Sequence, residues 1–150
     1  FRQQVILACQ LQKPLFLHER DAHEDLMKIL NDIDQDPSIP PLPPVMVHCF
    51  TGTQMEANSY VDRGFYLSFA GTICKFQRGA PLRALLPDLP LDRVMVETDA
   101  PFMGFRKDRR YSEPEDTVGV ASKLAETVER PYAEVCHATT SAAVKFFNLE

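Results

Sequence analysis

The chain has 150 residues, of which 45% are hydrophobic and 25% charged, and its formal net charge is −5 at pH 7. This composition is typical of a globular domain or part of one, and no apolar run approaches the roughly 20 residues that a membrane-spanning helix requires. The acidic balance excludes a protein that binds nucleic acid through bulk positive charge, so any contacts with phosphate must be local.

The first third of the chain predicts helix, strand, helix and loop, in that order. Residues 1–12 mix apolar and polar side chains and favour a helix, whereas the apolar residues 14–18 favour a strand. Asp21, followed three residues later by Glu24, predicts the N-cap of an amphipathic helix. Five prolines between positions 36 and 44 exclude a helix or a central strand and indicate a surface loop.

The alternation continues to the end of the chain. Apolar runs predict three further strands, at residues 45–48, 65–69 and 93–97. Thr53 and Glu56 predict the capping box of the next helix. Further helices are predicted within residues 77–86, from Pro114 and from near Pro131. Strands that alternate with helices indicate an α/β fold with a parallel sheet, and uninterrupted apolar strands indicate a sheet covered on both faces.

Three of the predicted strands end in a polar residue that can bind a metal ion. His18 and His48 end the first two, and Asp99 follows the last. Because side chains alternate along a strand, Arg20 and Glu97 are expected on the same face as these groups. Two imidazoles and a carboxylate suit a divalent cation. A lone strand-end histidine is more often structural, and an aspartate before Ala-Pro is more often a turn residue, so both interpretations stay open.

The segments around these residues resemble the TatD-type metal-dependent deoxyribonucleases. The matching motifs are His18-Glu19-Arg20-Asp21-Ala22, His48-Cys49-Phe50-Thr51-Gly52 and Glu97-Thr98-Asp99-Ala100-Pro101. The resemblance implies a TIM-like (β/α) barrel of the amidohydrolase type. Only four strands are predicted here, and a closed barrel has eight. The family's H-x-H pair occurs nowhere in the chain. We therefore expect residues 1–150 to form the C-terminal part of a single barrel domain.

The resemblance also implies an activity. The expected function is hydrolysis of DNA phosphodiester bonds, as a 3′-5′ exonuclease, with two divalent ions in a complete site. Mg²⁺ or Mn²⁺ is expected, with Zn²⁺ as the alternative. The family's metal ligands correspond to His18, His48 and Asp99. Asp99 would also orient or deprotonate the attacking water, and Glu97 would support the site from behind the ligands.

Substrate contacts are predicted from the positive side chains. Arg20 is expected to contact a phosphate or Glu97. Arg106 and Arg109, in the basic loop that follows Asp99, are expected to contact DNA phosphates, with a solvated loop as the equal alternative.

Two other functions stay open. The same type of barrel could hydrolyse another substrate with metal ions, or the chain could be an inactive fragment that serves as an interaction module. With no recognisable targeting segment, we expect an intracellular protein, cytoplasmic or nuclear, that has no membrane partner. The complete protein is expected to be a monomer.

Overall fold

The structure is a computed structural model that describes residues 1–149. Within these residues, four short parallel strands form one sheet in the order of the chain. The strands are β1 (Leu15–His18), β2 (Val45–His48), β3 (Tyr66–Phe69) and β4 (Val94–Val96). The helices are α1 (Arg2–Leu11), α2 (His23–Asp34), α3 (Gln54–Asp62), α4 (Ala80–Leu85), α5 (Thr117–Thr127) and α6 (Tyr132–Phe147). The predicted order of strands and helices is confirmed.

Local sequence signals account for some of the helix ends. Thr53 forms the predicted capping box with Glu56 at the start of α3, a type of cap worth about 1 kcal/mol. The predicted N-cap at Asp21 is wrong. Ala22 is the N-cap of α2, and its backbone N–H donates to Glu19 Oε1 at 2.7 Å. Asp21 itself has a φ of 55°, whereas an N-cap residue usually has extended backbone.

One face of the sheet is uniformly apolar and holds the main core. It presents alternate residues of each strand, such as Leu17, Val47, Leu67 and Val94, and all four are buried. Buried side chains of α1 to α5 pack in the same core, including Val5, Leu30, Tyr60, Leu85 and Leu124. Burial of this face explains why every strand sequence contains a continuous set of apolar residues at alternate positions.

The opposite face changes character along the strands. Near their amino ends Met46, Tyr66 and Met95 form a small cluster under Ala142 and Phe146 of α6. The Tyr66 and Phe146 rings lie 5.5 Å apart and meet edge to face. Near the carboxyl ends the same face carries polar residues. This face is called the inner face below.

The prediction that every strand is covered on both faces is wrong for β1. Leu15 and Leu17 are buried, but Phe16, which lies between them on the inner face, is 52% exposed. The reason is that the α6 cluster reaches residues of β2, β3 and β4 only. Within the described residues β1 pairs with β2 alone, so one edge of β1 is open.

We predict that Phe146→Ala lowers the free energy of unfolding by about 3–5 kcal/mol, because it removes the ring that covers the amino end of the inner face. Phe147→Ala is the matched control, since Phe146 is 1% exposed and Phe147 is 46% exposed. Urea unfolding of both variants measures the difference. Equal losses would contradict the assignment of α6 to the core.

Candidate active site at the carboxyl edge of the sheet

The predicted metal ligands lie together at the carboxyl edge of the sheet. His18 and His48 are paired residues of β1 and β2, and their ring centroids are 5.7 Å apart. Asp99 follows β4, and its Oδ1 lies 3.7 Å from His48 Nε2. All strands are parallel, so their carboxyl ends meet at one edge, which is why residues far apart in sequence become neighbours.

Left-handed backbone places two residues of this edge. Cys49 has a φ of 48° and Asp99 a φ of 56°, a region that residues other than glycine seldom adopt and that is enriched at functional sites. The alternation along β2 predicts that Cys49 points away from His48 and packs against a helix. That prediction is wrong, because the turn at Cys49 ends the alternation and brings this residue to the cavity described below.

Glu97 connects three strands at this edge. Its Oε2 accepts a hydrogen bond from His48 Nδ1 at 2.8 Å. Its Oε1 accepts from the Cys49 backbone N–H and from Ser68 Oγ, each at 2.6 Å. A partly buried carboxylate needs such donors to offset the loss of hydration. Glu97 therefore lies behind His48, as the sequence predicts.

Ser68 is a functional residue that the sequence reasoning missed. It lies on β3, is 1% exposed, and its Oγ also accepts a hydrogen bond from the Cys49 backbone N–H at 3.1 Å. The sequence does contain a feature that indicates this role, because Ser68 is a polar residue in an otherwise apolar strand, at a position on the inner face. In register with its neighbours, Ser68 pairs with Met95 on β4.

The hydrogen bond to Glu97 determines which nitrogen of His48 can bind a ligand. A carboxylate only accepts hydrogen bonds, so Nδ1 carries the proton. In the neutral imidazole Nε2 then has the free lone pair, and it faces Asp99. A carboxylate behind a histidine is the usual partner of a metal-binding imidazole.

The surroundings of the Cys49 thiol disfavour a role as a nucleophile. Burial, together with the negative charges of Glu97 and Asp99, raises its pKa to about 12. A thiol in this state stays protonated at neutral pH, and only the thiolate is strongly nucleophilic.

A cavity of about 310 Å³ opens at the same edge. Its lining includes His18, Arg20, Cys49, Lys75, Arg78 and Asp99. Arg20 is thus brought to the predicted site. The alternative prediction is that Arg20 pairs with Glu97. The Glu97 carboxylate is instead hydrogen-bonded to His48, Cys49 and Ser68, and the ion pairs of the described residues include none between Arg20 and Glu97.

Lys75 and Arg78 are further cations that the sequence reasoning missed. They follow a 3-10 helix (Gly71–Cys74) that comes directly after β3. Their position in the sequence could have predicted this, because the loops that follow the strands of a (β/α) barrel surround its active site. Three positive side chains therefore surround the cavity that holds Asp99.

Arg106 and Arg109 lie elsewhere. They line a second cleft along residues 104–110, which also includes Lys75. Arg109 Nη2 donates to the buried carboxylate of Asp116 at 2.8 Å, and its side chain is 14% exposed. Arg106 is 45% exposed and lies 3.6 Å from the same carboxylate. Arg109 is thus held by acidic residues that precede α5, whereas Arg106, although it lies near some of the same carboxylates, is the more exposed of the two. Their contact with a substrate stays a prediction.

The donor atoms fit a divalent cation in part. His48 Nε2 and Asp99 Oδ1 are 3.7 Å apart, less than twice the roughly 2.1 Å length of a bond from a metal to nitrogen or oxygen. One ion can therefore contact both, and His18 adjoins them. Within residues 1–149, however, no three His, Cys, Asp or Glu side chains converge closely enough to form a complete ligand set.

Comparisons with known proteins identify the family of this chain. A family model described as TatD related DNase matches residues 1–148. The 3′-5′ ssDNA/RNA exonuclease TatD of Cronobacter sakazakii is 47% identical over 103 residues, which cover 69% of this chain and 37% of that protein. The protein of that name from Citrobacter rodentium is 33% identical and covers 99% of this chain. This chain spans 57% of its length, so it corresponds to about half of such relatives.

Solved structures give the same result for the fold. The TatD homologue YjjV of Escherichia coli superposes with a TM-score of 0.86 at 29% identity, over 99% of this chain and 55% of that one. A TatD family hydrolase from Entamoeba histolytica superposes with a TM-score of 0.83 at 20% identity, over 97% of this chain and 55% of that one, a likeness of fold alone. The expected fold class, an incomplete TIM-like barrel, is confirmed. None of the helices in the described part of the chain is long and apolar enough to span a membrane.

We predict that Glu97→Gln changes the tautomer of His48. If the glutamine oxygen accepts from Ser68 and Cys49, its NH₂ group faces Nδ1 and donates to it, so the proton moves to Nε2. ¹⁵N chemical shifts of labelled histidines, recorded at alkaline pH, measure the tautomer. His137, which lies on α6, is the internal control. An unchanged Nδ1–H tautomer in the variant would contradict the assigned role of Glu97.

We predict that Asp116 makes stability depend on pH. The Glu113 backbone N–H and the Arg109 guanidinium hold the pKa of the Asp116 carboxyl below its ordinary value of 3.8. Such a group stabilises the fold above its unfolded pKa, and the contribution is lost as the pH falls through the folded pKa. Asp116→Asn should therefore lower the melting temperature above about pH 5, and the difference should shrink below about pH 4.

Thermal unfolding between about pH 3 and pH 7 tests this dependence, with Asp62→Asn as the control at an exposed position. A difference between wild type and Asp116→Asn that is constant across this range would contradict the prediction.

Proposed function

Since this chain belongs to the TatD related DNase family, we propose that it forms part of the active site of a metal-dependent nuclease. The proposed reaction is hydrolysis of phosphodiester bonds from the 3′ end of DNA. The names of the relatives, which specify 3′-5′ exonuclease action on single-stranded DNA and RNA, support this direction.

One observation carries the proposal. A single cavity joins Asp99, a carboxylate suited to a metal ion, with the cations Arg20, Lys75 and Arg78. A phosphodiester is negatively charged and needs positive partners, whereas the attacking water needs a negative or metal-bound one. A cavity that offers both kinds of group suits a phosphate ester better than a neutral ester or amide.

The proposed ligands are His18, His48 and Asp99. A bound divalent ion would polarise the phosphoryl oxygen and lower the pKa of a water molecule. Glu97 would keep His48 Nε2 available by holding the proton on Nδ1. We expect Mg²⁺ or Mn²⁺, as the family resemblance implies, with Zn²⁺ as the alternative because two of the three proposed ligands are imidazoles.

Asp99 has a second role in this proposal besides binding the ion. Its carboxylate, whose Oδ1 lies 3.7 Å from His48 Nε2, orients the attacking water and accepts its proton. Arg20, Lys75 and Arg78 hold the charge of the phosphate that is cleaved and of its neighbour. These cations are supplied by loops after two different strands, so they can contact a strand of nucleic acid from two sides.

A second candidate is metal-dependent hydrolysis of another substrate by the same residues. Lys75→Gln separates the two candidates, because Lys75 lines both the main cavity and the cleft along residues 104–110. For a nuclease this variant should raise KM for DNA, while the hydrolysis of a small uncharged ester should stay unchanged. A change in ester hydrolysis of the same size would favour the second candidate.

We predict that Asp99→Asn reduces hydrolysis of a 3′-labelled single-stranded DNA at least about 100-fold, because the variant loses both a ligand and a proton acceptor. It should also weaken Mn²⁺ binding at least about 10-fold in calorimetric titration. Asp92→Asn is the control, since Asp92 is exposed and precedes β4 at its amino end.

Three outcomes of this experiment are informative. Loss of hydrolysis in Asp99→Asn alone supports the proposal. Equal hydrolysis in the two variants contradicts it. Absence of Mn²⁺ binding by the unmodified chain would favour the third possibility, a fragment without catalytic function.

A further inference from the structure

Phe76 is an aromatic side chain that belongs to neither of the two hydrophobic core clusters. It is 87% exposed, the largest exposed fraction among the large hydrophobic residues of the described chain. Lys75 precedes it and Arg78 follows two residues later, and both line the main cavity. Single exposed apolar residues are common on protein surfaces, so its position between two cavity cations is the informative fact.

The backbone that carries Phe76 is held rigidly. Arg83 on α4 donates from Nη1 to the carbonyl oxygens of Ile73 and Lys75, at 2.6 and 2.8 Å, and from Nη2 to that of Phe76 at 2.7 Å. Three bonds from one guanidinium fix the segment whose side chain is left in water. A backbone that is already fixed reduces the conformational entropy that is lost when a ligand covers the ring.

The segment is also closely packed at its far end. A Cβ atom added at Gly79 would lie 2.4 Å from the Thr72 carbonyl oxygen and 2.6 Å from that of Lys75. The loop must therefore turn back on itself at Gly79. Phe76 is exposed between two residues that line the cavity, and it does not pack in the core.

We propose that Phe76 stacks on a base of single-stranded nucleic acid while Lys75 and Arg78 bind the adjoining phosphates. Aromatic rings flanked by positive side chains are the usual platform for single strands, because every base has a face that can stack and every linkage carries a charge. The inference rests on the proposed function, which it extends by naming a subsite beside the cleaved bond.

A neighbouring ring provides the competing assignment. Phe102 is 68% exposed and precedes Met103, which also lines the cavity. The two loops are in contact, since Thr72 Oγ1 lies 3.2 Å from Met103 Sδ. Unlike Phe76, Phe102 has no cation as a direct sequence neighbour. The test therefore includes both rings.

The chain has no tryptophan, so Phe76→Trp introduces a single fluorescent reporter. We titrate this variant with oligothymidylate and with an abasic strand of equal length, without divalent metal. Stacking predicts saturable quenching by oligothymidylate and none by the abasic strand. Phe147→Trp is the matched control, because Phe147 is an exposed phenylalanine on α6, which packs at the amino ends of the strands.

Phe76→Ala supplies the second measurement. Its affinity for the labelled oligothymidylate should fall roughly 5- to 100-fold, the range found when stacking rings are replaced. Its affinity for the abasic strand should change by less than about twofold. Fluorescence anisotropy gives both affinities, and circular dichroism verifies that the variant is folded.

Several results would overturn the assignment. These are an equal loss of affinity for both strands, no binding of oligothymidylate by the unmodified chain, and quenching in Phe102→Trp but not in Phe76→Trp. The titrations contain no metal, so they do not depend on hydrolysis. Quenching at Phe76 without any metal-dependent cleavage would reject the proposed nuclease activity but retain the subsite.

Discussion

The arrangement of the carboxyl edge depends on one carboxylate. Glu97 follows β4 and accepts hydrogen bonds from the end of β2 and from Ser68 on β3. Ser68 belongs to the same network, since its Oγ bonds both to the Cys49 backbone N–H and to Glu97. A partly buried carboxylate that loses a hydrogen-bond donor costs folding free energy. The three donors therefore fix the position of the Glu97 carboxylate, and the carboxylate in turn fixes the orientation of the three donors. The orientation of His48, and with it the position of any metal ion, follows from this arrangement.

The sheet supports this network by separating two environments over a short distance. On the inner face, Tyr66 lies under the ring of Phe146, while Ser68, two residues later, bonds to Glu97. Strands of three or four residues are long enough to anchor one apolar end under α6 and short enough to place the other end at the cavity. The opposite face is apolar throughout and packs in a core to which all six helices contribute side chains, so the polar groups can be placed without weakening the main core.

Alternation along strands explains how much of this could be predicted from the sequence. It placed His18, His48 and Glu97 on one face, and it could have placed Ser68 there as well. It failed where backbone leaves the extended region, since the left-handed turn at Cys49 brings that residue to the cavity. The prediction also failed at Asp21, because Ala22 is the N-cap and its backbone N–H donates to Glu19, which precedes the turn.

Loop residues were the hardest to predict. Nothing in the pattern of residues 106–110 shows that Arg109 is held by Asp116, because that pairing depends on how the loop folds back onto the start of α5. Lys75 and Arg78 were missed for a similar reason, since they reach the cavity from a loop that follows a 3-10 helix. Charge along the sequence therefore does not show which basic side chains reach the cavity.

The central claim is that the carboxyl edge of this sheet binds a divalent ion between His48 and Asp99. Anomalous diffraction at the manganese edge, from crystals of the chain soaked in Mn²⁺, tests it most directly. The account predicts a peak in contact with His48 Nε2 and Asp99 Oδ1, and no such peak in crystals of Asp99→Asn. Manganese bound only at other carboxylates, with none at this pair, would contradict the claim.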